Sequence, residues 1–101
     1  MADKRYVKGR GLEYRVRDKL RRMGFFATRL PASKPFDVLA VKKGVVLFVE
    51  CKYPKSHFPE SEKKELIELA EKYGAVPCLA RNVDGRIKII DLRDGTSVVK
   101  S

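Results

Sequence analysis

Residues 36–52, FDVLAVKKGVVLFVECK, constrain the fold more than any other part of the sequence. Two apolar runs, DVLAV and VVLFVECK, lie on either side of a short turn at residues 42–44. Runs of this length and valine content are typical of strands, and so short a connection joins antiparallel neighbours. Because the second run is apolar on both of its faces, we expect it to lie at the buried centre of a sheet. The sequence therefore predicts a central β-hairpin.

A helix is predicted before this hairpin, over residues 9–23. Apolar side chains recur there at steps of four and three, as they do along one side of a helix, and Gly24 supplies a stop. The members of this stripe are Leu12, Val16, Leu20 and Met23. The next segment, FFATRL at residues 25–30, is aromatic and β-branched enough for a strand, and we assign Phe25 and Phe26 to the core.

A second helix is predicted after the hairpin, with acidic residues in its first turn, where the helix dipole favours them, and Gly74 at its end. Its apolar stripe consists of Leu66, Leu69, Ala70 and Tyr73. Two more strands, AVPCLAR and RIKIIDL, follow and meet at the Asp84-Gly85 turn. A helical connection between VVLFVECK and AVPCLAR makes these two strands parallel neighbours. We therefore predict one α/β domain over residues 1–101, with a mixed five-stranded sheet flanked by helices and a flexible basic arm at residues 1–7.

Basic charge is concentrated at the start of the chain. Of the formal net charge of +10, residues 1–36 carry eleven Lys or Arg against three Asp or Glu, and residues 37–101 carry twelve against ten. A cationic field confined to one segment attracts polyanions, and nucleic acid is the commonest of these for a small protein. The alternative is a basic surface that serves only solubility. The residues that we assign to DNA binding are Lys4, Arg5, Lys8, Arg10, Arg15, Arg29, Lys34 and Lys55.

Composition excludes several other classes. With 44% hydrophobic and 36% charged residues, the chain is typical of a compact globular domain. No apolar run approaches the roughly 20 residues of a membrane-spanning helix, and the start of the chain has no apolar signal segment, so we expect a cytoplasmic protein. Cys51 and Cys78 lie in apolar runs without the spacing of a metal site, and we assign both as reduced core residues.

Three charged residues stand at the open end of the predicted hairpin: Asp37 opens the first strand, and Glu50 and Lys52 close the second. Strand alternation turns Glu50 and Lys52 to the same side, and hairpin pairing brings Asp37 beside them. Two neighbouring carboxylates repel each other unless a cation holds both, and oxygen ligands suit Mg²⁺ or Mn²⁺. Lys52 is then left to contact a water or a phosphate oxygen. The alternative is an ordinary ion pair that closes the strand.

The first helix carries Glu13 at the edge of its apolar stripe, three residues before Val16. A helix acid is by default solvated. This one leans toward the sheet, so it becomes a candidate further ligand if the hairpin carboxylates bind a metal.

Three segments, KGRGLEYRVRDKL, RLPASKPFDVLAVKKG and VVLFVECK, resemble the archaeal Holliday junction resolvases, small members of the restriction-endonuclease-like PD-(D/E)xK nuclease fold. The resemblance extends to RIKII and covers nearly the whole chain. It implies catalytic roles for Glu13, Ser33, Asp37, Glu50 and Lys52. It implies metal ligation by Glu13, Asp37, Glu50 and the Cys51 carbonyl.

Three further positions bear on this resemblance. Arg29 matches the family's basic residue before the loop. Tyr14 directly follows the helix glutamate where the family usually has arginine, which bears on a phosphate contact. The signature proline is Pro35, one residue earlier than its usual place beside the aspartate.

The resemblance implies a metal-dependent endonuclease that resolves four-way DNA junctions during recombination and repair. Its cofactor would be Mg²⁺, with Mn²⁺ able to replace it, and its partner would be branched DNA. Two alternatives stay open from the residues alone. One is another small nuclease of the same fold that cuts duplex DNA, and the other is a non-catalytic basic DNA-binding module.

The resemblance also implies a homodimer that nicks two opposed strands. We place the subunit contact on the second helix at Leu66, Leu69 and Tyr73, although this stripe is equally suited to covering the chain's own sheet. In the loop at residues 53–59, Tyr53 and Phe58 are candidates for stacking on bases, and His57 for a surface position or a DNA contact.

Overall fold

The computed structural model describes residues 4–31 and 35–98, and for residues 4–10 it describes the backbone alone. The elements are α1 (Lys4–Arg22), β1 (Phe26–Arg29), β2 (Val38–Lys42), β3 (Val45–Cys51), α2 (Glu60–Tyr73), β4 (Val76–Val83) and β5 (Arg86–Asp91). The five strands form one sheet in the order β1-β2-β3-β4-β5. The β3–β4 pair is parallel and the other pairs are antiparallel. The predicted mixed five-stranded α/β fold is therefore confirmed.

The predicted hairpin is formed by β2 and β3. Val38 lies opposite Val49, and Lys42 lies opposite Val45, which leaves a two-residue turn. Gly44 in this turn has a φ of 76°, a left-handed conformation that costs glycine little. The register brings the start of β2 and the end of β3 to the same edge of the sheet.

Helix α1 covers one face of the sheet through the predicted apolar stripe. Leu12, Val16 and Leu20 are buried there against β1, β2 and β3. The helix begins at Lys4 rather than residue 9, so most of the arm predicted as flexible is helical, and only residues 1–3 of it lie outside the described part. Gly9 and Gly11 disfavour a helix by about 1 kcal/mol each. The lysines and arginines around them are good helix formers, and one uninterrupted helix results.

Helix α2 covers part of the opposite face. Leu66 and Ala70 are buried, and Gly74 ends the helix with a φ of 69°. Because α2 connects the parallel strands β3 and β4, it lies over β4 and leaves the β1–β2 part of this face open. The assignment of Phe26 to the core is therefore wrong: its side chain is 68% exposed on the open part. Phe25 packs against the α1-side core as predicted.

Cys51 and Cys78 are not joined by a disulfide. Cys78 is fully buried, and burial, with the nearby charge of Asp91, raises the pKa of its thiol to about 12. Cys51 is only half-buried at the end of β3. Within the described residues, no helix is long and apolar enough to cross a membrane.

Candidate active site

Asp37 is held in place by the backbone of the opposite strand. Its own N–H donates to the Val49 carbonyl at 2.9 Å, and the Cys51 N–H donates to its Oδ2 at 2.7 Å. Its carbonyl accepts the Leu30 N–H at 3.0 Å. The side chain is buried, with 5% exposure, which is unusual for an aspartate. The backbone thus fixes this carboxylate at the open end of the hairpin.

Glu50 lies near the same end of the hairpin as this aspartate. The β2–β3 pairing ends with Val38 and Val49, so Asp37 directly precedes the last paired residue of β2 and Glu50 directly follows that of β3. The strand alternation turns Glu50 toward the α2 face, where it lines a cleft of about 420 Å³. The other lining residues are Pro35, Glu62, Glu65, Leu66 and Leu69. Glu50 thus shares this cleft with two acidic residues of α2, Glu62 and Glu65.

Lys52 lies on the same side of β3 as Glu50, as predicted. Its Nζ is 3.8 Å from Glu62 Oε2 and 5.8 Å from the centre of the Phe58 ring. Its N–H donates to the Ala80 carbonyl at 3.0 Å, which continues the β3–β4 pairing one residue beyond the strand. The backbone of Lys52 is therefore part of the rigid sheet, while its ammonium group is partly exposed.

Glu13 approaches the site from helix α1. Its Oε1 accepts a hydrogen bond from Arg29 Nε at 3.2 Å, and both side chains are mostly buried. Burial lowers the pKa of Arg29, but the hydrogen bond and charge of Glu13 outweigh this and leave that pKa raised. Glu13 is therefore not the solvated helix acid that is the default expectation.

Tyr14, the position that departs from the family's pattern, contacts two arginines. The guanidinium carbons of Arg17 and Arg29 lie 4.8 and 4.5 Å from the centre of its ring. Such cation–π contacts stabilise a guanidinium group without neutralising its charge. The tyrosine thus helps to orient positive charge at the place where an arginine is usual.

Tyr53 has a buried hydroxyl group for which the described residues provide no hydrogen-bond partner. Burial raises the pKa of Tyr53, and the negative charge of Glu13 raises it further, so the hydroxyl stays protonated. Its ring packs against the α1-side core, and Phe58 packs against the α2-side core. Both residues are partly exposed, so stacking of their rings on bases stays a prediction.

The donor set fits a hydrated divalent ion. Among the described side chains, no group of three or more His, Cys, Asp or Glu residues forms a ready-made metal site. Mg²⁺ does not need one, because it is usually held by one or two carboxylates together with waters and substrate phosphates. Asp37 and Glu50 are the two carboxylates predicted for such a site.

The residues predicted to bind DNA are only partly visible. Arg15 is exposed on α1, where its Nη2 lies 3.4 Å from the Gly85 carbonyl, and Lys55 is exposed in the loop after β3. His57 is also exposed in that loop. Ser33 and Lys34 lie outside the described residues. The same holds for the side chains of Lys4, Arg5, Lys8 and Arg10, whose backbone forms the first turns of α1.

Sequence reasoning missed Arg81. This residue lies on β4, next to the end of β3 and to Lys52. Its Nη1 is within hydrogen-bonding distance of three carbonyl groups in the loop that follows β3. The distances are 2.5 Å to Tyr53, 3.3 Å to Pro54 and 2.9 Å to Ser56. The guanidinium group of Arg81 thus holds the loop that follows β3 in place. The available signal was the arginine that ends the apolar run AVPCLAR.

The fold, the paired acids and the lysine two residues further on define the class of small α/β nucleases. Residues 4–98 match a family model described as archaeal Holliday junction resolvase (Hjc), so the chain belongs to this family. A crossover junction endodeoxyribonuclease Hjc from Methanocaldococcus jannaschii is 32% identical over 90 residues, covering 86% of this chain and 68% of that protein. The predicted family and enzyme class, an endodeoxyribonuclease of the Holliday junction resolvases, are confirmed.

A solved structure is similar as well. The 1.6 Å structure of Archaeoglobus fulgidus Hjc, a Holliday junction resolvase from an archaeal hyperthermophile, has a TM-score of 0.75. The alignment covers 85% of this chain and 74% of that chain at 22% identity. At this identity the similarity supports the fold alone.

Proposed function

We propose that this protein cleaves four-way DNA junctions with a divalent ion held at the open end of the β2–β3 hairpin. The observation that carries the proposal is the buried Asp37 carboxylate, held at 2.7 Å by the N–H of Cys51, the residue that directly follows Glu50. Burial of a charged carboxylate is costly, so a carboxylate that the backbone holds buried at the end of a hairpin is suited to binding a cation there. Membership of the junction resolvase family supplies the substrate class.

In this proposal Asp37 and Glu50 hold Mg²⁺, and Mn²⁺ can replace it. The Cys51 carbonyl and Glu13 provide further oxygen donors. When bound, such an ion would lower the pKa of a coordinated water and neutralise charge that develops on the scissile phosphate. The protein holds its carboxylates on paired strands, so little conformational entropy is lost when the site is assembled.

Lys52 orients the attacking water or a phosphate oxygen through its ammonium group. Its present contact with Glu62 is long, at 3.8 Å, and half-exposed, and ion pairs of this kind stabilise proteins very little. The ammonium group can therefore turn to the substrate at low cost. In the hydrolysis, the water oxygen bonds to phosphorus, the bond from phosphorus to one sugar oxygen breaks, and that oxygen takes up a proton. Ser33 contacts the same phosphate or a water beside it.

The substrate surface in this proposal is the basic side of α1 together with the loops at the hairpin end. Arg15 is exposed there, and Arg29 is held at the site by Glu13 and Tyr14. Helix α1 contains nine basic and two acidic residues, so phosphates are attracted along its whole length. The other contacts we propose are Lys4, Arg5, Lys8, Arg10, Lys34 and Lys55.

We also propose that the working form is a two-fold symmetric homodimer, because a junction needs two related cuts and one chain contributes a single acid pair. The predicted contact needs correction: Leu66 is buried in the chain's own core. Tyr73 remains 64% exposed, and the open face beside it adds Phe26 at 68% and Val41 at 38%. Phe26 on β1 and Val41 on β2 are directly paired neighbours in the sheet. Such an apolar surface is suited to its own counterpart.

The dimer can be tested by mixing wild-type subunits with Glu50→Gln subunits and cutting a supercoiled cruciform plasmid. Mixed dimers should cut one strand only and release nicked circles. A loss of linear product in proportion to the inactive fraction, without nicked circles, would argue against paired sites in one dimer.

Junction cleavage is tested with a labelled synthetic four-way junction in Mg²⁺ and in EDTA, beside a linear duplex of the same sequence. We expect two symmetric cuts in the junction with Mg²⁺, none in EDTA, and little cutting of the duplex. Equal cutting of the duplex would indicate a general nuclease. Binding without cutting under Mg²⁺ or Mn²⁺ would indicate a DNA-binding module.

A further inference from the structure

A second cationic groove lies between the C-terminal part of α1 and the edge strand β5. Lys19 and Arg22 line it from the helix, and Arg86 and Lys88 line it from the strand. Its volume is about 510 Å³, and Ile87 and Ile89 are among its apolar lining residues. None of the described residues that line it is acidic. It is separate from the acidic cleft beside Glu50.

These cations have no common structural explanation. Edge strands often carry charged residues that prevent pairing with other chains, which accounts for Arg86 and Lys88. It does not account for Lys19 and Arg22 on the facing helix. Arg86 and Lys88 alternate with Ile87 and Ile89, which pack toward α1, so the helix and strand cations lie on the two sides of the β5 edge and together give this edge a positive potential that attracts an anion.

The groove is continuous with the active site along α1. Arg15, two residues after Glu13, reaches the Gly85 carbonyl at 3.4 Å, and Gly85 lines the groove. Lys19 and Arg22 follow Glu13 by six and nine residues, which is about 9 and 14 Å along a helix. This span corresponds to about three to four phosphates at 3.4 Å per strand.

The groove also lies at the opposite edge of the sheet from the Glu13–Arg29 pair. Arg29 ends β1, and the groove is formed by β5, so the full width of the five-stranded sheet separates the two strands. Four strand spacings amount to about 19 Å. A phosphate bound in the groove is therefore several phosphates away from one bound at Arg29.

We propose that this groove binds the sugar–phosphate backbone of the substrate DNA at a stretch separate from the one that is cut. The inference rests on the proposed function for the identity of the polyanion. The groove supplies affinity through phosphate contacts and takes no part in the chemistry. Its removal should weaken junction binding while leaving the cleavage rate of bound junction unchanged.

The test uses the full chain with the double substitution Arg86→Ala and Lys88→Ala, and junction affinity measured by fluorescence anisotropy over a range of salt concentrations. Each lost phosphate contact lowers the slope of log affinity against log salt by about 0.9, so the expected change is about 1.8. Reversing both charges to Glu should weaken binding further. Thermal unfolding verifies that the variants fold.

A matched control is available on α2. A cleft of similar size, about 530 Å³, is lined by Lys63 and Lys64 together with Glu60 and Glu68. Because its charges balance, the double substitution Lys63→Ala and Lys64→Ala should leave the slope unchanged. A wild-type slope for the Arg86/Lys88 variant, or an equal change in the control, would overturn the inference. If the proposed function is wrong, a separate measurement shows it, because the wild-type protein would then not cleave junctions.

Discussion

The two faces of the sheet are covered in different ways. On one face, α1 buries Leu12, Val16 and Leu20. Its sequence has a net charge of +7, and Arg15, Arg21 and Arg22 are exposed. On the other face, α2 is slightly acidic, with a net charge of −2, and leaves Phe26 and Tyr73 largely exposed. The α1 face is closed and cationic, whereas the α2 face is open and apolar.

This difference separates two tasks. A helix that covers the core on one side and carries cations on its other side is suited to binding a polyanion, because phosphate binding needs charge rather than apolar surface. An uncovered apolar face without strong charge is suited to a second subunit. Asp37 and Glu50 lie at the end of the two central strands, where the faces meet. In the dimer proposed above, DNA would contact the α1 side and the second subunit would contact the α2 side.

The largest effect is expected from the acid pair at this meeting point. Asp37→Asn and Glu50→Gln should each lower the cleavage rate by at least about two orders of magnitude, since substitutions of even the outer partners of metal ligands cost 10- to 100-fold. Junction affinity should stay at the wild-type level or rise, because the basic side of α1 is unchanged. Cleavage by either variant at the wild-type rate in Mg²⁺ would remove these residues from the site.

The contrast between the faces is tested next by one substitution on each. Leu20→Ala should lower the free energy of unfolding by about 2–5 kcal/mol, because it opens a cavity in the closed core. Phe26→Ser should change the stability of the subunit by less than about 0.5 kcal/mol while lowering the molecular mass observed by sedimentation. Denaturant unfolding measures the free energy of unfolding of both variants. Equal destabilisation by both substitutions, or an unchanged mass for Phe26→Ser, would contradict the difference between the faces.

Arg81 links the active strand to the loop after it, and its effect should be smaller. Arg81→Met should lower the cleavage rate of bound junction by about 10- to 100-fold, since a small displacement of Lys52 is enough for such a loss. Arg81→Lys keeps the charge but not the fork of donors, and should recover only part of the rate. Junction affinity should be little changed in both. If the variants are less stable but cleave bound junction at the wild-type rate, Arg81 has only a structural role.

The smallest effect concerns single cations on the two faces. Arg15→Ala should reduce the slope of log junction affinity against log salt by about 0.9, the contribution of one phosphate contact. Lys64→Ala, an equally exposed lysine on α2, is the control and should leave the slope unchanged. Equal slopes for the two variants would mean that DNA does not approach from the α1 side.

Much of this arrangement could be predicted from the sequence, because the relevant signals are local. The hairpin follows from two valine-rich runs and a glycine turn, and its register brings the start of β2, after Asp37, to the same end of the sheet as the end of β3. The parallel pairing of β3 and β4 follows from the helix between them. Each of these features depends on residues that are close together in the sequence, so the sequence alone is enough to predict it.

The features that could not be predicted depend on long-range packing. Phe26 looks like a core residue, and its exposure follows from how far α2 extends over the sheet. The three carbonyl groups around Arg81 come from a loop more than twenty residues earlier. The helical start at Lys4 required a stretch with two glycines to remain helical.

The central claim is that the hairpin carboxylates hold a divalent ion, and Mn²⁺ binding to the DNA-free protein followed by electron paramagnetic resonance tests it directly. The wild-type chain should bind Mn²⁺, and Asp37→Asn should lose that binding. Glu62→Gln is the matched control, because Glu62 lines the same cleft as Glu50 but lies on α2. It should retain binding. Mn²⁺ binding that survives Asp37→Asn and disappears in Glu62→Gln would contradict the account.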